Sequence, residues 1–366
     1  MPRRKRDLDI ALIIAVLVTM AELVSTEHTL AQATTYTVLE LSAADAGQVP
    51  CRINNLGDLV GRSGNSGPDG NRATIWSHGT LQPKHLGVLP GGEYSSASAI
   101  NDAGEVAGAS NTGNALVPFI WKPTGGLQRI PLLPGDTCGQ GFGINKYGHL
   151  AGYSSGPNGA RAFLWTGSTA RNLGSLPGGS YSRARGVNDS DEVVGTSASP
   201  AGNRAVLWTK TGQVRDLGTL SGDTSSEAIA INNAGDVVGY SKGPGGLRAF
   251  LWTPATGMQD LGVLPGGSSS RAFDINDLGY VVGSSTSSSG DRAFIWTKQA
   301  GMTDLNSAAS AGLGVVFMEA HAINSTGEIL VMGATPEQSG GIALPEHQDC
   351  APAPPSTFLL IPTPAQ

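Results

Sequence analysis

The chain has 366 residues, of which 52 are Gly and 22 Pro, with 14% charged residues, 39% hydrophobic residues and a formal net charge of −6. No three-residue Gly period is present, which excludes collagen, and the apolar content with recurring Trp argues against disorder. No basic run occurs beyond the first six residues, so nucleic-acid binding through phosphates is not expected.

The chain opens "MPRRKRDLDIALIIAVLVTM", a basic start followed by an apolar run from Ile10 to Met20. This reads as a secretory signal, residues 1–33, with a small-x-small site at Ala31-Gln32-Ala33 and cleavage before Thr34. Asp7 and Asp9 are unusual in such a segment, and an uncleaved anchor extending to Val24 is the alternative. No later segment is long and apolar enough to span a membrane as a helix. A secreted or periplasmic location is the expectation. Residues 34–349 are read as one repeat domain, and residues 350–366 as a Pro-rich tail with a role in ring closure left open.

One unit then recurs seven times. An Asn preceded by Ile or Val stands at 54, 101, 145, 188, 232, 276 and 324, in steps of 47, 44, 43, 44, 44 and 48 residues. All six Trp recur in phase, at 76, 121, 165, 208, 252 and 296, five of them following Arg-Ala as in "RATIW" or "RAFLW". The last unit has no Trp, and "GIALPEH" is expected in its place. A third element, "LG.L.GG", appears at 86–92, 173–179 and 261–267.

Each unit contains four short runs rich in β-branched and aromatic residues, separated by Asn-, Asp- and Gly-containing turns, and is read as four strands. The Trp is expected to fill space between sheets rather than to stack on sugars. The Asn is expected to close the turn before Gly, and the Arg of "RAF" to bond a neighbouring loop.

A 44-residue four-stranded unit cannot bury both faces alone. A closed ring solves this, and the period fits propeller repeats of about 40–50 residues. The fold expected is all-β, a seven-bladed β-propeller; an open solenoid would need capping units that neither end supplies. "TYTVLEL", residues 35–41, resembles a fourth strand and is expected to complete the seventh blade, with "TFLLIP", residues 357–362, competing for that edge. The motifs "RAFLWT", "DLGVLPGG" and "IN..G.VVG" resemble the bacterial extracellular HAF (His-Ala-Phe) repeats over about residues 35–335, with Arg in place of the His. The resemblance implies a secreted or cell-envelope protein with a propeller-like domain. It implies no reaction and no catalytic residues.

Function in a repeat protein is sought where copies diverge. Two residues before the Asn, Arg52 and Asp274 break a rule of small residues; three before it, Arg185 and His321 stand among apolar or small ones. Strand alternation assigns these two rows to opposite faces, Arg52 with Asp274 and Arg185 with His321. These four are the ligand-binding candidates, the Arg residues for a carboxylate or sulfate. An enzyme reading casts His321 as base and Asp274 as acid or orienter. The three cysteines, Cys51, Cys138 and Cys350, allow one bridge and one free thiol and match no zinc spacing. No catalytic Gly-x-Ser-x-Gly or His-Glu-x-x-His motif occurs, "GPDGN" at 67–71 is too short for a calcium loop, and no cofactor or metal is assigned. The leading expectation is a monomeric binding module for a carbohydrate or an envelope protein. The alternatives are a hydrolase or lyase acting on a polymer at the channel mouth, and a passive structural repeat.

Overall fold

The structure is a computed structural model that describes residues 35–41, 49–64, 71–309, 313–335 and 356–363. The segment read as a signal, most of "GPDGN", "GIALPEH" and Cys350 lie outside the described residues.

Seven four-stranded antiparallel sheets form, and in the first six the strand order is the chain order. Each is one repeat unit, and together they make a seven-bladed β-propeller. The innermost strand of each blade ends at the repeated Asn. The second strand carries "VVG", the third "RAFLW", and the outer strand precedes the "LG.L.GG" loop.

The repeated Asn does more than close a turn. Each Oδ1 accepts the backbone N–H groups two and four residues on, as at Asn232 from Ala234 and Asp236. Each Nδ2 also donates to the main-chain oxygen of the next blade's Asn. These bonds run from Asn54 to Asn101, Asn145, Asn188, Asn232, Asn276, Asn324 and back to Asn54, at 2.9–3.3 Å. All seven Asn are buried. The result is a closed circle of hydrogen bonds around one end of the axial channel.

Two glycine positions follow from the same geometry. The Gly three residues after the Asn has positive φ, for example +82° at Gly235, and blade four places Asp191 there at +59°. The Gly of "VVG" faces the inner strand so closely that a Cβ on Gly195 or Gly239 would lie 2.0 Å from the carbonyl of Arg183 or Glu227. Any side chain there would drive the two strands apart.

Blades meet through apolar clusters, and Phe163, Phe250, Phe294 and Trp208 are fully buried in them. Five of the six Trp are buried, so they are packing residues and not open stacking platforms. Serines pin the interfaces: the amide of Ala162, Ala205 or Ala249 in "RA" donates to Ser182, Ser226 or Ser270 of the next inner strand. The Arg of "RAF" reaches a neighbouring loop as expected, Arg161 pairing with Asp136 at 2.7 Å, and its counterpart Arg204 in "RAV" donates to the Thr224 carbonyl at 2.7 Å.

The seventh blade departs from chain order. Val316–Ile323 and Ile329–Ala334 are its first two strands, Ser356–Thr363 is its third, and Thr35–Glu40 is its outer strand. The start of the described chain thus supplies the outer edge, as its sequence suggests. "TFLLIP" does not compete for that edge. Leu360 pairs with Ile329 in the register that Trp296 takes with Val281 in blade six, so Leu360 stands where the missing Trp was sought in "GIALPEH". The reason is burial. A third strand is covered on both faces, which suits the run Phe358-Leu359-Leu360, all buried, whereas Thr35–Glu40 buries one face only.

The Asn circle makes a definite prediction. Asn232→Ala removes one donor and two acceptor bonds at a buried site and should lower unfolding free energy by about 2–4 kcal/mol. Urea denaturation reads this directly; a loss below about 1 kcal/mol would mean that water replaces the circle without penalty.

Candidate functional site

The sequence expectation of two opposite faces fails at the inner strand. In every blade the pairing with the second strand slips at the residue three before the Asn, between Ala184 and Gly186 or Ala272 and Asp274, for example. This residue is bulged, and a bulge suspends alternation and re-aims side chains.

The row two before the Asn packs against the next blade. A Cβ on Gly143 would lie 3.0 Å from the Arg185 carbonyl, which explains the small residues there. Asp274 uses that proximity. Its Oδ2 accepts the amide of Ile323 in blade seven at 3.0 Å, and its Oδ1 accepts that of Ile275 at 2.9 Å. Arg52 donates to the Cys51 carbonyl at 2.8 Å, and its charge favours the ionised form of Asp274. Burial outweighs that attraction and the two amide bonds, so the Asp274 carboxyl is pushed above the ordinary carboxylate range. Arg52 and Asp274 therefore act on one another across blade seven.

Arg185 and His321 are not brought together. The Arg185 guanidinium lies 4.7 Å from the centroid of the Phe142 ring, and His321 stacks on Phe273 at 5.4 Å. Each is held by the bulged aromatic of the preceding blade. His321 also bonds Glu319 through Nε2 at 2.7 Å, and both side chains are buried.

The polar residues that sequence reasoning missed lie two further back along the inner strands, toward the mouth opposite the Asn circle. Five residues before the Asn, blades four to seven carry Arg183, Glu227, Arg271 and Glu319, alternating in sign. Blades one and two carry Val49 and Ser96 there, so the charge forms a crescent on one side of the mouth. Arg183 lies 5.1 Å from the Tyr153 ring and Arg271 lies 5.9 Å from that of Tyr240. Burial, then Glu227, pushes the Tyr240 phenol up. A cavity of about 160 Å³ opens between Glu227, Tyr240, Lys242 and Arg271. Asp291 is raised by burial and by the nearby Glu319, against the attraction of Arg271 and Arg292.

The signal for this row was present in the sequence. Its positions diverge among copies as strongly as the rows that were read. These positions lie beyond the bulge, where alternation counted back from the Asn no longer assigns a face. Cys138 is a half-buried free thiol. Cys51 is disulfide-bonded, with its partner outside the described residues. Among the described residues, no group of three or more His, Cys, Asp or Glu side chains is placed to hold a metal ion.

No family model and no curated protein sequence matches the chain, so the HAF likeness rests on its motifs alone. Solved structures do match. One is a catalytically inactive variant of virginiamycin B lyase from Staphylococcus aureus with quinupristin, at 11% identity and TM-score 0.52, covering 89% of this chain and 99% of that one. A prolyl endopeptidase structure matches at 11% identity and TM-score 0.53, covering 84% of this chain and 49% of that one. TolB from Acinetobacter baumannii gives 14% identity and TM-score 0.48, with 68% of this chain covered; the chain spans 63% of TolB. Identities this low speak to fold alone, and the lyase and endopeptidase matches accord with the seven-bladed β-propeller of this chain.

The raised Asp274 predicts a pH effect. The folded protein holds this proton more tightly than the unfolded chain, so the contribution of Asp274 to stability falls as pH rises from about 3.9, the free-Asp value, through its folded pKa. Asp274→Asn removes this dependence. Its melting temperature relative to wild type should be higher at pH 7 than at pH 4, whatever the loss of one amide bond costs at both.

Proposed function

We propose that this propeller is a hydrolase or lyase acting by acid–base chemistry on a polymeric or peptide-like ligand at the mouth opposite the Asn circle. The observation that carries the reading is the pair Glu319–His321, a buried imidazole held by a carboxylate at 2.7 Å. That is the base-and-orienter relation on which general-base catalysis depends. Glu319 holds one ring nitrogen and leaves Nδ1 to take a proton. Asp291, pushed up by burial and by Glu319, is suited to hold a proton for a leaving group. Arg271, within electrostatic reach of Asp291, offers a positive charge to an anion forming on the substrate. Propeller enzymes of this size, virginiamycin B lyase among them, support the reading by fold only.

A second reading, a binding module without turnover, is favoured by Arg183 and Arg271 lying over tyrosine rings beside a cavity. Such a surface suits a carbohydrate or envelope partner bearing carboxylates. Location outside the cytoplasm fits the basic and apolar start of the chain, residues 1–33, and the disulfide at Cys51. Among the described residues no helix is long and apolar enough to cross a membrane.

The test is product release, followed by mass spectrometry, from a panel of acidic polysaccharides and peptides. His321→Asn should lower kcat by about 10²–10⁴-fold at a temperature where the variant remains folded. If no compound turns over but some raise the melting temperature, and Arg271→Ala abolishes that shift, the binding reading replaces the enzyme one.

A further inference from the structure

The opposite mouth, inside the Asn circle, has features the fold does not need. Leu56, Tyr147 and Leu278 are 58%, 60% and 61% exposed, and all three occupy the residue two after the repeated Asn. In each, the backbone amide is bonded to the Asn Oδ1 of its own turn, so the side chain stands at the tip of a fixed turn. The same position elsewhere holds Ala103, Ser190, Ala234 and Thr326. Small or polar residues therefore satisfy the turn, and the turn itself does not call for the large apolar side chains of Leu56 and Leu278.

One residue closer to the axis, the side chains following each Asn line a cavity of about 210 Å³. Asp102, Asp189 and Asp277 are among them, against one cation, Lys146. The Lys146 ammonium lies 3.3 Å from Asp189 and 5.1 Å from the Tyr147 ring centroid. At that turn a carboxylate, an ammonium and an apolar tip are already combined. The other two apolar tips lack the cation. Asp102 accepts the amide and side chain of Asn55, the neighbour of Leu56, and Asp277, the neighbour of Leu278, accepts those of Asn233. Among the described residues neither carboxylate faces a Lys or Arg.

We propose that this face docks a segment of a partner protein that presents Lys or Arg side chains flanked by apolar residues. The basic side chains meet Asp102 and Asp277 at the cavity rim. The apolar flanks cover Leu56 and Leu278, which stand on either side of blade seven. The charge complementarity is local and resembles what Lys146 already makes with Asp189 and Tyr147 within the chain.

Three fluorescein-labelled octapeptides test this against the full protein by anisotropy: a Leu-Lys-Leu core between Gly-Ser flanks, the same with Glu for Lys, and the same with Ser for both Leu. The Leu-Lys-Leu peptide should bind at least about tenfold more tightly than either control and lose affinity with added salt. The double variants Asp102→Asn with Asp277→Asn, and Leu56→Ser with Leu278→Ser, should each weaken it by about tenfold or more. All four side chains are exposed at turns, and unchanged melting confirms intact folding. Absence of binding, equal binding of the Glu peptide, or indifference to both double variants overturns the proposal. None of these outcomes bears on His321, which is not among the residues lining this cavity.

Discussion

The circle of seven Asn side chains is the constraint on which the rest of this molecule depends. Each amide group serves two blades at once, its oxygen fixing the turn of its own unit and its nitrogen gripping the next. Because the last bond returns from Asn324 to Asn54, the circle has no free end. Each buried polar group in it has a partner, which is the condition under which burying Asn costs little. The closeness it imposes on the inner strands explains why Gly or Ala prevails two residues before the Asn. It also explains why Asp274, the exception, finds the amide of Ile323 within reach.

The seam between blades seven and one bears the burden of closure. Its apolar cluster holds four buried residues among those described, Leu59, Trp76, Ala322 and Leu330, while each of the other six interfaces has at least seven. Polar links supplement it: Asn324 to Asn54, Ser325 to Asn55, and His78 beside Glu328 at 3.8 Å. The seventh blade itself is a composite of both ends of the described chain. The antiparallel pairing of Thr35–Glu40 with Ser356–Thr363 joins those ends by main-chain bonds, and Tyr36 and Val38 press on its core. Burial there pushes the Tyr36 phenol up to about 12, so it stays neutral at physiological pH.

The scaffold leaves the two mouths chemically free to differ. Opposite the Asn circle, strands of unlike sequence converge and present an alternating row of Arg and Glu, and Glu319 of that row holds His321. At the Asn circle the turns are nearly identical, and variation is confined to one or two residues per blade. A ring of equal turns with a few unequal tips is a surface suited to a partner, and a convergence of buried ionisable groups is suited to chemistry.

The repeat by itself determined the blade count, the four strands of each blade and the packing role of Trp, because period and alternation report directly on burial. It also marked residues 35–41 as an outer strand, since their one-sided pattern fits an edge. Tertiary structure decided what no local pattern carries. That Leu360 takes the place of Trp in blade seven depends on pairing across a long gap in sequence. That Arg185 and His321, sorted to one face by alternation, part company depends on the bulges at their own positions. The second bond of each Asn joins residues 43–48 positions apart, or 270 at the closure, and exists only once the ring has formed.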